Sequence, residues 1–343
     1  MQIYSHSFLL LMRRLFHSLG RANYQRGWYI IPLRPWPLLT ENGRPRWQLF
    51  PSQQEAAVSV TAVLQEPWVT HSPALKYCLY FLYDRSLYSV NTQIELPKTL
   101  WLYWHQGWDN APSIVKRCLR SWEEKNRTWM IHKLDASTVR DFVHLPDILL
   151  NEPDLPLCVL ADLIRINLLC DYGGVWADAT VYCQRPLDDW ISRAANTGFF
   201  AFERPVPTRP LSNWFIASAA RHGIIEEWRK RANSLWLEEG YLEKSRAFWS
   251  NWTYKSCPEH YFWPHHLFQK MIEEDQAASQ LWAKVLKVNA SWPHVIQHRM
   301  LQPLTTDVKE FIDGGMMPVH KLTYRYDENQ MPVNSCLEYL FTK

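Results

Sequence analysis

The stretch from Leu157 to Tyr182 concentrates the side chains best suited to chemistry. Asp162 and Arg165 stand three positions apart. On a helix that spacing puts a carboxylate and a guanidinium on one face, where they pair or reach a common ligand. Gly173-Gly174 follows, and then an apolar run that carries Asp178. An acid at the exit of a buried strand has two readings. It is a turn or cap acid, or it is a hard oxygen ligand for a divalent cation that neutralises a diphosphate. From the residues alone both readings stay open.

The elements that must position these groups follow from periodicity. Leu157 to Cys170 reads as a helix with Leu160, Leu163, Ile164, Leu168 and Leu169 among its apolar positions. Gly173-Gly174 supplies a left-handed helix end, and Val175–Tyr182 reads as the strand that follows. Upstream, Leu100–Trp104 is a short apolar run of the kind that forms a buried strand. A turn with Gly107, Asp109 and Asn110 leads to Pro112 in the first turn of a helix reaching about Lys125, its apolar face carrying Ile114, Val115, Cys118, Leu119 and Trp122. Thr128–Leu134 reads as a second strand and Ala136–Val143 as a short helix. Strands alternating with helices at this spacing predict an α/β fold with a parallel sheet, and such sheets bind ligands at the carboxyl ends of their strands.

The segment ADLIRINLLCDYGGVWADATVYCQRPLDDW resembles the helix–strand signature of the capsular polysaccharide synthesis family of glycosyltransferases, relatives of the yeast-type initiating mannosyltransferases and the glucosylating clostridial toxins. The similarity continues at LPKTLWLYWHQGWDNAPSIVKRCLRSW, FFAFERP, LSNWFIAS and MMPVHKLTYRY, so it covers about residues 95–326 in the family's order. The resemblance implies a GT-A type nucleotide-sugar-binding fold, a nucleotide-diphosphosugar donor (a UDP-sugar), transfer with retention of anomeric configuration, and Mn2+ or Mg2+ as cofactor. Its implied acceptor is a surface polysaccharide or its lipid-linked precursor.

Carried over by motif position, Asp178 matches the first acid of a D-x-D metal site, and Asp162 and Arg165 match the helix pair that holds donor sugar and phosphates. Trp104 falls where relatives stack the uracil ring, and Lys321 resembles the C-terminal basic position that closes over the diphosphate. Asn213 and Trp214 fall on the donor or acceptor side, and His320 is a further candidate ligand for the metal. One departure matters: the second acid of D-x-D is Thr180, whose hydroxyl is a weaker ligand than a carboxylate. That departure motivates the competing reading, a non-catalytic carbohydrate- or nucleotide-binding relative of the same fold.

The 343 residues carry 37 Lys+Arg against 34 Asp+Glu, for a net charge of +3. Residues 1–60 hold seven Arg, no Lys and two acids, so the remainder is slightly acidic, which argues against a nucleic-acid binder. Within that basic stretch, Phe8, Leu11, Met12, Leu15, Phe16 and Leu19 fall on one helical face. A basic amphipathic helix over residues 8–19 suits an anionic membrane surface or packs on the protein's own body. No apolar run reaches the ~20 residues needed to span a bilayer. Seven cysteines without a C-x-x-C pair indicate neither a disulfide framework nor a zinc site. The chain thus reads as cytoplasmic, peripheral at most to the inner face of the membrane. Its expected organisation is a Pro- and Trp-rich extension over 1–95, the glycosyltransferase domain over 96–326 and a tail over 327–343. The absence of GxxxxGK[ST], GxGxxG and GxSxG removes support from P-loop kinases, dinucleotide oxidoreductases and α/β-hydrolases.

Overall fold

The computed structural model describes residues 94–343 except 146–148, 150–154, 207–208, 239–260, 287, 289, 291, 314, 316 and 327–331, together with two strands nearer the N-terminus. The expected helix over residues 8–19 lies outside the described residues. The two early strands, Tyr29–Pro32 (β1) and Trp47–Phe50 (β2), pair antiparallel with Tyr29 opposite Phe50. They fall inside the Pro- and Trp-rich extension expected over residues 1–95. Each is a four-residue run bounded by proline, with Pro32 closing β1 and Pro51 following β2. Such runs are too short for an alternation pattern to stand out.

The chain divides into two units. One comprises Asn91–His298 and Met317–Asn329, and the other Met1–Val90, Arg299–Met316 and Gln330–Lys343. The first holds a five-stranded sheet built from Thr99–Tyr103 (β3), Met130–Leu134 (β4), Gly174–Ala177 (β5), Phe199–Val206 (β7) and Arg209–Ser218 (β8), in the order β4-β3-β5-β8-β7. β3 pairs parallel with β4 and β5, while β8 pairs antiparallel with β5 and β7, so β8 alone runs against the rest. The sheet is therefore mixed but mostly parallel, as the alternation of strands and helices requires.

Two helices connect the parallel strands: Ser113–Lys125 (α1) between β3 and β4, and Leu157–Asp171 (α2) before β5. The α2 helix packs against Gly223–Trp236 (α3), and Trp263–Glu274 (α4) lies on β8, followed by Gln276–Lys284 (α5). Trp101, Leu163, Ile164, Leu168, Trp176, Ile216, Trp228 and Phe268 belong to the core that these elements share. Trp101, Trp122, Trp176, Trp190 and Trp228 are fully buried, so these five of the chain's 19 tryptophans fill its interior.

The expected strand over Val175–Tyr182 is two strands. β5 keeps its ladder with β8 through the Ala177–Phe215 pair, and the Asp178 N–H adds one more bond to the Trp214 carbonyl at 2.8 Å. The chain then turns, the Val181 N–H closing onto the Asp178 carbonyl at 2.8 Å, and Val181–Cys183 (β6) leaves to pair with Val319–Lys321 (β9). α1 anchors β6: the Trp122 indole N–H donates to the Val181 carbonyl at 2.8 Å and the Cys183 N–H to the Ser121 hydroxyl at 2.9 Å. The expected helix over Ala136–Val143 is only a 3-10 turn at Val139–Asp141. There the Asp135 carboxylate accepts the Ser137 and Thr138 N–H groups, a local bond pattern that competes with helix.

In the second unit, Thr306–Asp313 (α6) and Cys336–Leu340 (α7) are joined by the Tyr339 hydroxyl, which donates to Asp313 at 2.6 Å. No helix among the described residues is long and apolar enough to cross a membrane.

Gly173 and Gly174 both take positive φ, at 67° and 94°. A Cβ on Gly174 would lie 2.4 Å from the Thr99 carbonyl, because β5 and β3 approach closely there. Gly174→Ala is expected to lower stability by about 2–3 kcal/mol, read as a fall in the urea midpoint. Gly107→Ala is the control: φ is also positive at 81°, but nothing lies within 4 Å, and the loss should be about 1 kcal/mol.

Candidate functional site

β5 ends at Ala177, so Asp178 stands at the carboxyl end of a strand near the middle of the sheet. One strand over, Trp104 follows the carboxyl end of β3. β8 runs antiparallel and extends past the last β5 pair, which carries Asn213 to the same end of the sheet. The turn after Asp178 brings Thr180, and the β6–β9 ladder places Lys321 opposite Val181. Residues far apart in the chain therefore meet where an α/β sheet presents its ligands.

Arg165 is the hub. It is 5% exposed, and Asp162 beside it on α2 is 7% exposed. Its guanidinium donates to the Asn213 carbonyl at 2.7 Å and the Ala161 carbonyl at 3.2 Å. It lies 3.2 Å from the Asp162 carboxylate and 3.4 Å from that of Asp178, with its carbon 5.1 Å from the centre of the Trp176 ring. The Asn213 side-chain amide donates to Asp162 at 2.8 Å, so Asn213 holds both members of the helix pair, one through its side chain and one through its carbonyl.

Both oxygens of Asp178 are engaged. Its Oδ1 accepts the Trp176 indole N–H at 3.0 Å and faces Arg165, and its Oδ2 accepts the Lys321 ammonium at 2.9 Å. The same ammonium donates to the Thr180 hydroxyl at 2.7 Å. Burial works to raise the Asp178 carboxyl, but the charges of Lys321 and Arg165 and the bonds from Lys321 and Trp176 outweigh it and hold the group below its ordinary range. Asp162 goes the other way. Burial, opposed by Arg165, together with the charge of Asp178 pushes it up to about 7.

Six expected site residues thus come together: Asp162, Arg165, Asp178, Thr180, Asn213 and Lys321. Trp104 is half-buried, its ring edge-to-face with Tyr324 at 5.4 Å. The Trp214 ring packs flat on Phe202 at 4.9 Å and edge-on to His294, and its carbonyl is the part that touches the site, by holding the Asp178 N–H. His320 is fully buried, and burial pushes its imidazole down to about 3, which keeps it neutral. Adjacent strand residues point to opposite faces, so His320 is turned away from the face on which Lys321 meets Asp178. Asp188 is engaged by Lys98, Thr128 and Trp129.

The expected divalent ion can be tested against these donors. Asp178 and Thr180 would supply one carboxylate and one hydroxyl, and both are already bonded to Lys321. Among the described residues, no group of three His, Cys, Asp or Glu side chains is arranged to hold a metal. Like unit charges 4 Å apart repel by about 4 kcal/mol at an effective dielectric of 20, and a divalent ion doubles that. With Lys321 in place, these residues do not fit a metal ion. Trp176 is the site residue the sequence reading missed. The only signal for it is parity, since it lies two positions before Asp178 on the same strand and so on the same face.

A family model described as capsular polysaccharide synthesis protein matches residues 74–340. The O-glycosyltransferase braB of Annulohypoxylon truncatum is 30% identical over 159 residues, 40% of this chain and 38% of that protein. The initiation-specific alpha-1,6-mannosyltransferase of Candida albicans is 30% identical over 178 residues, 43% of this chain and 46% of that protein. The chain spans less than half the length of these curated relatives. Among solved structures, the PaToxG glycosyltransferase aligns with a TM-score of 0.33 at 13% identity, covering 77% of this chain and 95% of that one.

The raised Asp162 carboxyl has a signature in stability. Between about pH 4 and 7 the folded chain keeps a proton on Asp162 that the unfolded chain has lost, so this group makes stability fall as pH rises through that window, then level off. Asp162→Asn removes this contribution. Urea midpoints at pH 5, 6, 7 and 8 should show the wild type losing ground to the variant up to about pH 7 and holding a constant difference above it. A constant difference across the whole range would place the ionisation of Asp162 elsewhere.

Proposed function

The chain belongs to the capsular polysaccharide synthesis family, and from that premise we propose that it is a glycosyltransferase of GT-A type. It takes a nucleotide-diphosphosugar, a UDP-sugar, and transfers the sugar with retention to a surface polysaccharide or its lipid-linked precursor. The observation that carries this reading is the convergence of two cations, Arg165 and Lys321, on Asp178 at the carboxyl end of β5. The glycosyltransferase names of the relatives support the reaction class. The acceptor rests on the family description, and the donor on the chemistry of the site.

In the proposed reaction the bond between the anomeric carbon and the diphosphate oxygen breaks, and its electron pair stays on the diphosphate. The acceptor hydroxyl oxygen bonds to the anomeric carbon, and its proton passes to the departing phosphate oxygen. Negative charge grows on the diphosphate as the sugar becomes cationic, and fixed cations aimed at that charge lower the barrier. Lys321 is the group for this task, because its backbone is held in the β6–β9 ladder and its ammonium is steered by Asp178 and Thr180. Asp162 and Arg165 offer a carboxylate oxygen and guanidinium N–H groups to the donor's sugar hydroxyls and phosphates. The pair Trp104 and Tyr324 offers ring surface to the base.

A panel of UDP-, GDP- and CMP-sugars, assayed for hydrolysis and for transfer to saccharide acceptors, tests the reading. One donor should be turned over, and Asp178→Asn should cut that rate about 100-fold, the scale of losing one preorganised electrostatic group. Silence across the panel, together with no UDP binding by calorimetry, would exclude it.

A further inference from the structure

We propose that Lys321 is the site's own cation: cradled by Asp178 and Thr180, it takes the part of a divalent ion on the diphosphate, so donor binding and turnover proceed without metal. The inference rests on the glycosyltransferase reading above and deepens it.

The ammonium lies 2.9 Å from Asp178 Oδ2 and 2.7 Å from Thr180 Oγ1, so it bonds to the two side chains that correspond to the two acids of D-x-D. It reaches them from a fixed backbone. β9 pairs Lys321 with Val181, the Lys321 N–H donates to the Pro293 carbonyl at 3.0 Å, and the next N–H, of Leu322, donates to the Thr180 carbonyl at 2.9 Å. Asp178 keeps no idle oxygen, since Trp176 and Arg165 occupy the other one. The Lys321 side chain is 16% exposed and that of Asp178 25%, so the ammonium is at the border of the site and not sealed beneath it.

The donor count agrees. An ammonium has three N–H bonds. Asp178 takes one and Thr180 another, which leaves one for a phosphate oxygen. Thr180 suits an ammonium better than a metal ion: a hydroxyl accepts its N–H without adding a second negative charge, but it binds a divalent cation weakly. The replacement of the second acid by threonine and the arrival of Lys321 at that threonine are then one design.

Three measurements on the full chain test this. First, electron paramagnetic resonance of MnCl2 mixed with the protein alone should show no saturable bound Mn2+. Mn2+ bound by wild type and lost in Asp178→Asn overturns the inference whatever the nucleotide result. Second, calorimetry with UDP in EDTA and in MnCl2 should give the same affinity. Lys321→Met should weaken that affinity about tenfold, the loss of one charge-assisted bond, with Lys321→Arg falling between. Third, the donor turned over in the panel should be turned over equally in EDTA and in MnCl2. UDP binding or turnover that appears only with Mn2+ overturns the inference and leaves the glycosyltransferase reading standing. UDP bound in neither condition overturns both. The wild-type comparisons decide the matter even where a Lys321 variant fails to fold.

Discussion

A guanidinium largely shielded from water must be paired, and Arg165 is paired by three separate elements. Asp162 comes from its own helix, Asp178 from the exit of β5, and the Asn213 carbonyl from β8. Removing one partner of a buried ion pair costs about 3–5 kcal/mol, because the remaining charge stays buried without compensation. That penalty ties α2, β5 and β8 to one another at a single point. It also explains why polar residues stand in a helix that is otherwise almost wholly apolar and buried. Asn213 completes the arrangement by bonding to both members of the helix pair, so β8 cannot slide along β5 without breaking bonds to α2.

The same constraint separates what was legible in the sequence from what was not. The helix before the Gly-Gly pair, the strands near residues 100 and 130, and the mostly parallel sheet follow from apolar periodicity and glycine chemistry, which are local. The Asp162–Arg165 pair was legible for the same reason, since three residues on one helix suffice to define it. The break after Asp178 was not legible. Val175–Tyr182 is uniformly strand-like, and the turn arises because β6 finds a partner in β9, more than 130 residues later in the chain. Pairing over that distance leaves no mark on the local pattern. The convergence of Lys321 on Asp178 depends on that same long-range ladder, so only the resemblance to a family, and not the spacing of residues, pointed to Lys321.

Trp214 and His320 show a second limit. Each was picked out by position along the chain, yet strand parity sorts such candidates by face. Asn213 reaches Asp162, while its neighbour Trp214 packs among Phe202 and His294. Lys321 reaches Asp178, while its neighbour His320 is buried. A motif read as a string assigns both neighbours to the site, whereas a pleated strand delivers one of them.

Charge balance links the threonine to the lysine. The cluster holds two acids, Asp162 and Asp178, and two bases, Arg165 and Lys321, linked in a chain in which Arg165 meets both acids and Lys321 meets Asp178. A carboxylate at position 180 would leave such a cluster one charge short, and a divalent ion is the usual remedy for a surplus of acid. A hydroxyl there keeps the balance with side chains alone. The partial protonation of Asp162 near neutral pH shifts the balance further, because each proton it gains leaves the two bases facing one carboxylate. The excess of positive charge then lies at the carboxyl end of β5, on the side chains that would meet a diphosphate, and no ion need be borrowed from solution to put it there.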